Sequence, residues 1–196
     1  MTKQNVYLCD MSSGSNMNLL PLAICIVGDY SLAQPEIKES LNIEYRFLRQ
    51  DGKTLAASME DPVIVGFSCY VWNFNRSLAV ACEVKRQHPN ALIVLGGFSI
   101  PKLPEKISDL FREHPYVDVL VHGEGEMTFA SFLREFIDGK NYHALAGITV
   151  RNLDVEAGYI SNPRANRVES LDELPSPYLN GTFDDMLRRY GAKITG

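Results

Sequence analysis

The amino-acid sequence predicts a doubly wound α/β domain built on a parallel sheet of five strands. Three short segments, at residues 63–69, 91–95 and 117–121, are rich in β-branched and aliphatic residues, as buried parallel strands are. Glycine or serine residues follow at the end of each one, and a segment with apolar residues at helical spacing comes next. Because parallel neighbours need helical crossovers of right-handed sense, this alternation predicts helices on both faces of one sheet.

The five predicted strands follow one another with a helix between each pair. They lie at residues 6–11, 43–48, 63–69, 91–95 and 117–121. Pro21 suits the first turn of a helix that reaches about residue 32, and Pro35 is expected to end it. The Asp51-Gly52 turn introduces a short helix before the third strand.

The later helices carry clearer signals. Asn75 is the expected N-cap of a helix that ends at Pro89, and the next helix starts near Pro104 and ends before Pro115. The helix after the fifth strand has an apolar stripe at the i, i+3, i+4, i+7 and i+8 positions: Phe129, Phe132, Leu133, Phe136 and Ile137. Such a stripe is typical of a helix that packs into a core.

The chain changes character twice. Residues 1–140 form the predicted sheet domain, and residues 141–161 add a sixth strand with a hairpin partner. Residues 162–196 are expected to form a proline-rich, extended linker that ends in a short helix. A linker that leads to so little indicates that a second domain is missing.

Composition excludes several classes of protein. The chain has 196 residues and a formal net charge of −5, and no run of Lys and Arg forms a stripe that would follow phosphates, so a nucleic-acid partner is not expected. Neither a signal peptide nor a membrane span is recognisable, which predicts a cytoplasmic protein with no membrane partner. The four cysteines form no CxxC pair and lie in apolar runs, which predicts free, mostly buried thiols: Cys9, Cys25, Cys69 and Cys82. The four histidines are scattered singly, so no metal site is expected.

The candidate binding residues cluster where the predicted strands end. In a parallel sheet these ends meet at one edge, where α/β proteins bind their ligands. The candidates are Asp10, Ser12, Ser13 and Gly14 after the first strand, Ser68, Tyr70, Trp72 and Asn73 after the third, Gly96, Gly97 and Phe98 after the fourth, and Gly123, Glu124, Gly125, Glu126 and Thr128 after the fifth. Gly96-Gly97 indicates either a close approach to the backbone or a tight turn. An aromatic loop beside glycine-lined strand ends suits a large flat ligand.

Nucleotide cofactors are less well supported. The segment Gly123-Glu-Gly-Glu-Met-Thr has Thr128 where a dinucleotide fingerprint has its third glycine, and it follows the fifth strand instead of the first. Its two carboxylates, Glu124 and Glu126, would repel a pyrophosphate. The sequence contains no P-loop motif. FMN binding stays open, because the small polar residues 12–16 offer hydroxyls and amides to a phosphate.

Five segments together resemble the N-terminal cobalamin-binding domain of the cobalamin-dependent radical S-adenosylmethionine (SAM) enzymes. They are Val65-Gly-Phe-Ser-Cys-Tyr-Val-Trp-Asn, Val94-Leu-Gly-Gly-Phe-Ser-Ile-Pro, the run from His114 to Phe129 with its Gly-Glu-Gly-Glu element, Ala146-Gly-Ile-Thr-Val-Arg, and Leu171-Asp-Glu-Leu-Pro-Ser-Pro-Tyr-Leu. They occur in the family's order over most of the chain. The combination of the Gly-Glu-Gly-Glu and Asp-Glu-Leu-Pro-Ser-Pro elements makes the resemblance specific.

The resemblance implies a flavodoxin-like (Rossmann-type) domain that carries cobalamin. The dimethylbenzimidazole tail would be withdrawn from cobalt and buried beside the sheet, where Gly96 and Gly97 would make room for it. Another cobalamin-binding family supplies an axial histidine from an Asp-x-His-x-x-Gly loop after the first strand. Here Asp10 is present, but Ser12 stands in the histidine position. No axial histidine is therefore expected. What faces the metal is left open, with Tyr70 and Trp72 as candidates to cover it.

One departure from the family concerns catalysis. No Cys-x-x-x-Cys-x-x-Cys motif follows the linker, so this chain has no ligands for the family's iron–sulfur cluster. S-adenosylmethionine and the cluster are therefore expected only in a missing radical SAM barrel, joined in cis in the parent enzyme. That parent is expected to be a methyltransferase acting on unactivated carbon, with no catalytic residue in this chain. The alternatives are an FMN-binding module and a non-catalytic protein-interaction domain.

Overall fold

The computed structural model describes residues 2–13, 19–139 and 142–194. Its strands are β1 (Gln4–Asp10), β2 (Leu41–Arg46), β3 (Pro62–Ser68), β4 (Leu92–Gly96), β5 (Val119–Val121), β6 (Ile148–Arg151) and β7 (Tyr159–Ser161). Its α-helices are α1 (Leu22–Leu32), α2 (Pro35–Ser40), α3 (Gly52–Ala57), α4 (Phe74–Gln87), α5 (Pro104–Glu113), α6 (Gly125–Ile137) and α7 (Thr182–Tyr190). No helix in these parts of the chain is long and apolar enough to cross a membrane.

All seven strands belong to one sheet, in the order β2-β1-β3-β4-β5-β6-β7. The first five are parallel, as expected for a doubly wound fold, while β6 and β7 are antiparallel. The predicted five-stranded sheet is thus too small, because the hairpin expected as an appendage pairs with β5 and extends the sheet. The strand order reverses between β1 and β3, which is where doubly wound proteins open a ligand crevice.

Each face of the sheet is covered by its own group of helices. The helices α3, α4 and α5 bury residues such as Leu55, Val84 and Phe111 on one face. On the opposite face, α1, α2, α6 and α7 bury residues such as Ile24 and Phe132. Because parallel strands are buried on both faces, their sequences read as nearly continuous apolar runs.

The first helix ends at Leu32 as expected, but one short helix was not predicted and one predicted helix boundary was wrong. Pro35 does not simply end α1: it is the first residue of α2, a position where its missing N–H costs nothing. Asn75 lies inside α4, which begins at Phe74, so the residue before the helix is Asn73. By contrast, Asp51 caps α3 as its position suggests, since its carboxylate accepts hydrogen bonds from the N–H groups of Lys53 and Thr54.

The C-terminal segment is attached to the domain more firmly than a free linker would be. The helix α7 buries Phe183 and Met186 in the core beside α1. Asp29 on α1 accepts hydrogen bonds from Asn180 Nδ2 and Thr182 Oγ1, both at 2.8 Å, and from the hydroxyl of Tyr45 at 2.7 Å. These contacts hold the segment against α1 and β2.

Candidate functional site

A cavity of about 520 Å³ opens at the carboxyl edge of the sheet and extends down between the sheet and the helices α1 and α6. Its inner wall is apolar, with Leu8 and Val94 on the sheet, Val27 on α1 and Phe129 on α6. Its mouth is formed by the ends of β3, β4 and β5. The volume lies within the range of small-molecule sites.

The strand register explains why this space exists. On one face of the sheet, Leu8, Gly66 and Val94 form a row across β1, β3 and β4, and Ser68 and Gly96 lie in the next row toward the edge. Gly66 has no side chain where a buried strand residue would normally fill the space under the helices. A Cβ atom there would lie 2.9 Å from Leu8 Cδ2 and 3.9 Å from the Phe129 ring. The absence of a side chain at residue 66 therefore keeps the inner end of the cavity open.

A buried asparagine holds two loops of the rim together. Asn73, which is 1% exposed, donates from Nδ2 to Ser68 O at 2.9 Å, to Ser12 Oγ at 3.0 Å and to Asp10 Oδ1 at 3.2 Å. Its Oδ1 accepts a hydrogen bond from Tyr70 N at 2.7 Å. Asp10 also accepts from Ser12 N at 2.9 Å. The predicted residues after β1 and β3 thus form one network, in which Asp10 and Asn73 position the loops.

Aromatic side chains lie at the edge of the cavity. Tyr70 and Trp72 are stacked, with ring centroids 4.9 Å apart and planes 3° from parallel, and Trp72 Nε1 donates to Ser12 Oγ at 3.1 Å. Trp72 is 69% exposed and Phe98 is 87% exposed. Trp72 therefore does not cover the core beneath a loop. These rings offer flat apolar surface beside the cavity mouth.

Residues 163–168, which we call the strap, run along the outer side of the cavity mouth. Gly147 N donates to Pro163 O at 2.7 Å, and Val168 N donates to the Glu124 carboxylate at 2.9 Å. Gly147 has a φ of +84°, and a Cβ atom there would lie 2.8 Å from Ala165 Cβ, so only glycine lets the strap lie this close. Between these anchors, Arg164, Ala165, Asn166 and Arg167 line the cavity.

His122 lines the cavity at the end of β5. Its Nε2 lies 2.8 Å from Thr149 Oγ1, a buried hydroxyl that is in turn 2.9 Å from Ser161 Oγ. Burial lowers the pKa of His122, and the positive charge of Lys102 lowers it further. The imidazole is thus favoured in its neutral form, and its Nε2 is engaged with β6.

Of the two alternatives for Gly96-Gly97, a close approach to the backbone or a tight turn, the structure shows a tight turn at Gly97. Gly97 has a φ of +102°, and a Cβ atom there would lie 2.7 Å from Cys69 O and 3.0 Å from Cys69 N. The backbone that approaches it is the protein's own loop after β3, so Gly97 serves a tight turn. Gly96 lines the cavity, but a Cβ atom there would meet only Val121 Cβ at an ordinary 3.7 Å. Gly97 also lines the cavity, and the expectation that both glycines make room for a ligand stays a prediction.

The structure brings nine of the sixteen predicted residues to the cavity lining: Ser68, Tyr70, Gly96, Gly97, Phe98, Gly123, Glu124, Gly125 and Glu126. Asp10, Ser12, Trp72 and Asn73 belong to the adjacent network instead. Ser13 is buried and donates from Oγ to Phe47 O, and Thr128 is buried on α6 against the position of Gly147. Gly14 lies outside the described residues.

Several lining residues were not predicted. Gly66 carried a signal, because a glycine inside an otherwise aliphatic strand often marks a close approach. Lys102 and the strap residues carried no such signal in the sequence. The strap lies in the segment that was predicted to be a linker. The apolar wall residues Leu8, Val27 and Phe129 are indistinguishable in sequence from ordinary core.

The comparisons with known proteins first define a class. Residues 39–133 match the model of the B12 binding domain family, and these residues run from α2 to α6. The fold and the cavity agree with this match, and residues 39–133 belong to the B12-binding domain family.

The curated relatives of this chain are methyltransferases, and one of them is named as a cobalamin-dependent radical SAM enzyme. The chain is 40% identical over 167 residues to the 2-(S-pantetheinyl)-carbapenam-3-carboxylate methyltransferase of Streptantibioticus cattleyicolor. It is 38% identical over 167 residues to the cobalamin-dependent radical SAM methyltransferase TokK of Streptomyces tokunonensis. Each alignment covers 84% of this chain and 24% of the relative, so the chain spans about a quarter of their length.

A solved structure shows the same fold. The cobalamin-dependent SAM radical enzyme OxsB, with aqua-cobalamin and S-adenosylmethionine bound, aligns with a TM-score of 0.67 at 17% identity. The alignment covers 92% of this chain and 25% of OxsB. In OxsB, therefore, the fold of this chain forms one part of a larger enzyme.

Proposed function

We propose that this chain binds cobalamin with its dimethylbenzimidazole tail in the cavity, as the cofactor domain of a radical SAM methyltransferase. The observation that carries the proposal is the cavity itself, which passes from the strand ends down to Gly66 between the sheet and the helices. A site for a bare phosphate needs no such depth. The apolar walls suit a flat aromatic base. Contact between the base and Leu8, Val27 and Phe129 removes apolar surface from water, which is favourable.

In this proposal, the corrin ring lies on the rim and its tail enters the mouth between β3, β4 and β5. Ser68, Tyr70, Gly96, Phe98 and the segment from Gly123 to Glu126 surround the tail where it enters. Trp72, with Tyr70 stacked on it, lies below the corrin, and the Asn73 network holds both loops in place. Gly97, Ser13 and Thr128 support this arrangement through the backbone and the core. Gly14, which lies outside the described residues, is proposed as a binding residue on the sequence alone.

Cobalamin, when bound, would supply a cobalt centre that carries a methyl group. This chain would orient the ring and exclude water from the buried tail. It would supply no histidine to cobalt, because His122 Nε2 is engaged with Thr149. Within the described residues, no group of three or more His, Cys, Asp or Glu side chains is placed to hold a metal ion.

The parent activity is part of the same proposal. The parent would take a methyl group from S-adenosylmethionine and deliver it to an unactivated carbon, using a radical SAM barrel in cis that holds the iron–sulfur cluster. The likeness to two methyltransferases, of each of which the alignment covers 24%, supports this reading. A cytoplasmic location is supported by the cysteines, which are all unpaired, with Cys9, Cys25 and Cys69 buried.

Reconstitution tests the binding proposal. The purified chain is mixed with hydroxocobalamin or with FMN, passed through gel filtration and examined by visible absorption. We expect corrinoid bands to co-elute with the protein and flavin bands to be absent. Retained flavin with lost corrinoid would favour the FMN module, and loss of both ligands would favour an interaction domain.

A further inference from the structure

The mouth of the cavity carries more positive than negative charge, although the chain as a whole is acidic. Among the lining residues, three are cations, Lys102, Arg164 and Arg167, and two are carboxylates, Glu124 and Glu126. The net charge of the chain is −5. A local excess of cations at a cavity mouth in an acidic protein favours an anionic ligand group at that point.

The two arginines are held at the mouth by their backbone. The strap is fixed at one end by the hydrogen bond from Gly147 N to Pro163 O and at the other by the bond from Val168 N to Glu124. The packing of Ala165 against Gly147 fixes its middle. Arg164 and Arg167 therefore project from a segment whose path is already set.

The guanidinium groups at the mouth have no acceptor among the residues that the structure describes. Across the residues that the structure describes, Arg164, Arg167 and Lys102 form no side-chain hydrogen bond or salt bridge. The Glu124 carboxylate accepts the bond from Val168 N instead. Other arginines of the domain are engaged: Arg151, for example, donates to the carbonyl groups of Val117, Phe111 and His114.

We propose that Arg164 and Arg167, assisted by Lys102, bind the phosphodiester of the cofactor's nucleotide tail. This inference rests on the proposed function. In cobalamin the phosphodiester lies between the corrin ring and the benzimidazole, so a base in the cavity and a ring on the rim bring the phosphate to the mouth. Leaving water costs a phosphate free energy unless charged donors replace it, and Arg offers paired donors that match its oxygens. Glu124 and Glu126 would repel the phosphate if the cations were absent.

The test compares two corrinoids that differ in the tail. Hydroxocobalamin has the complete nucleotide tail, and aquacobinamide has the same corrin ring but neither phosphodiester nor base. Equilibrium dialysis measures the Kd of each for the wild-type chain and for Arg164→Gln/Arg167→Gln. We expect the double variant to weaken hydroxocobalamin binding by roughly tenfold or more and to leave aquacobinamide binding unchanged. Arg112→Gln is the matched control, because Arg112 lies on α5, outside the cavity, and pairs with Asp109.

Each other outcome overturns the inference. Equal weakening of both corrinoids would show that the arginines do not act through the tail. An unchanged Kd for hydroxocobalamin in a folded double variant would show that they do not contact the phosphate, while the proposed function would stand. If the wild-type chain binds neither corrinoid, the proposed function fails, and this inference fails with it.

Discussion

Gly66→Val is the substitution that tests the cavity most directly. The new Cβ atom lies 2.9 Å from Leu8 Cδ2, the far end of a flexible side chain, and two further methyl groups would extend between Leu8 and Phe129. The strand should tolerate the change: overpacking costs about 1–3 kcal/mol, and valine's preference for strands offsets part of it. The variant should therefore fold with its inner cavity filled.

The expected loss of affinity follows from the area that the base can no longer bury. A ring the size of an aromatic side chain buries about 150 Å², which at about 25 cal/mol/Å² contributes about 3.8 kcal/mol. Losing all of it would raise the Kd about 500-fold, and losing half of it about 20-fold. Valine fills part of the depth, so we expect the Kd for hydroxocobalamin to rise between these two factors.

The assay is a spectroscopic titration with hydroxocobalamin, together with circular dichroism melting of the free protein. Ile64→Val is the matched control, because Ile64 lies on the same strand and face but does not line the cavity, and its loss of one methylene costs about 1 kcal/mol. The control should be less stable than wild type and bind cobalamin normally. A folded Gly66→Val variant with wild-type affinity would refute the assignment of the cavity to the tail.

Three further predictions concern the edge of the sheet. Gly97→Ala should lower the free energy of unfolding by roughly 1–3 kcal/mol, measured by denaturant titration without any ligand, because alanine at this φ meets the backbone of Cys69; unchanged stability would argue against the tight turn. The pKa of His122, followed by NMR, should lie below the ordinary value of about 6.5. Lys102→Gln should raise the pKa of His122. A pKa of about 6.5 for His122 in the wild-type chain would contradict the described burial. Since the depressed pKa favours neutral imidazole in the folded state, the stability that His122 contributes is present above about pH 6.5 and is lost as the pH falls through its folded pKa. Finally, bound cob(II)alamin should show no nitrogen superhyperfine splitting by electron paramagnetic resonance; a triplet splitting that vanishes in His122→Ala would identify a ligand from this chain.

The parallel core could be predicted because its signals are local. Apolar runs of five to seven residues ending in Gly or Ser appear in the structure as β3 and β4, within a residue or two of the expected bounds. The hairpin of β6 and β7 was also expected. Its pairing with β5 was not, because the partner of an edge strand depends on contacts that are distant in sequence.

The choice between Asn73 and Asn75 shows where a local signal fails. Both residues precede an apolar helical pattern, and either type of side chain can cap a helix. The structure selects Asn73, but its amide is directed to Tyr70 N and to the loops after β1 and β3 rather than to the first turn of α4. The contacts of the Asn73 amide depend on the folded loops, so no periodic pattern in the sequence predicts them.

The candidate site also has one part that the sequence could predict and another part that it could not. Residues at the strand ends were found because parallel topology itself brings them together, as with Ser68 and Gly96. The strap was missed because its path depends on Gly147 and Glu124, which are separated from it by about 20 and 40 residues. Proline content predicts extended backbone there, but it does not predict the surface on which that backbone lies.

The hydrogen bonds from Asn180 and Thr182 to Asp29 bear on the order in which the parts of the domain can form. Thr182 is 153 residues from Asp29, so this contact closes the longest loop among the hydrogen bonds described above. Loop-closure entropy disfavours such contacts until the intervening chain is already compact. The parallel sheet precedes the strap and α7 in the chain, and during synthesis it leaves the ribosome first. We therefore expect the strap to be added to a sheet that has already formed, so that the cavity takes its final shape only when the strap has folded against it.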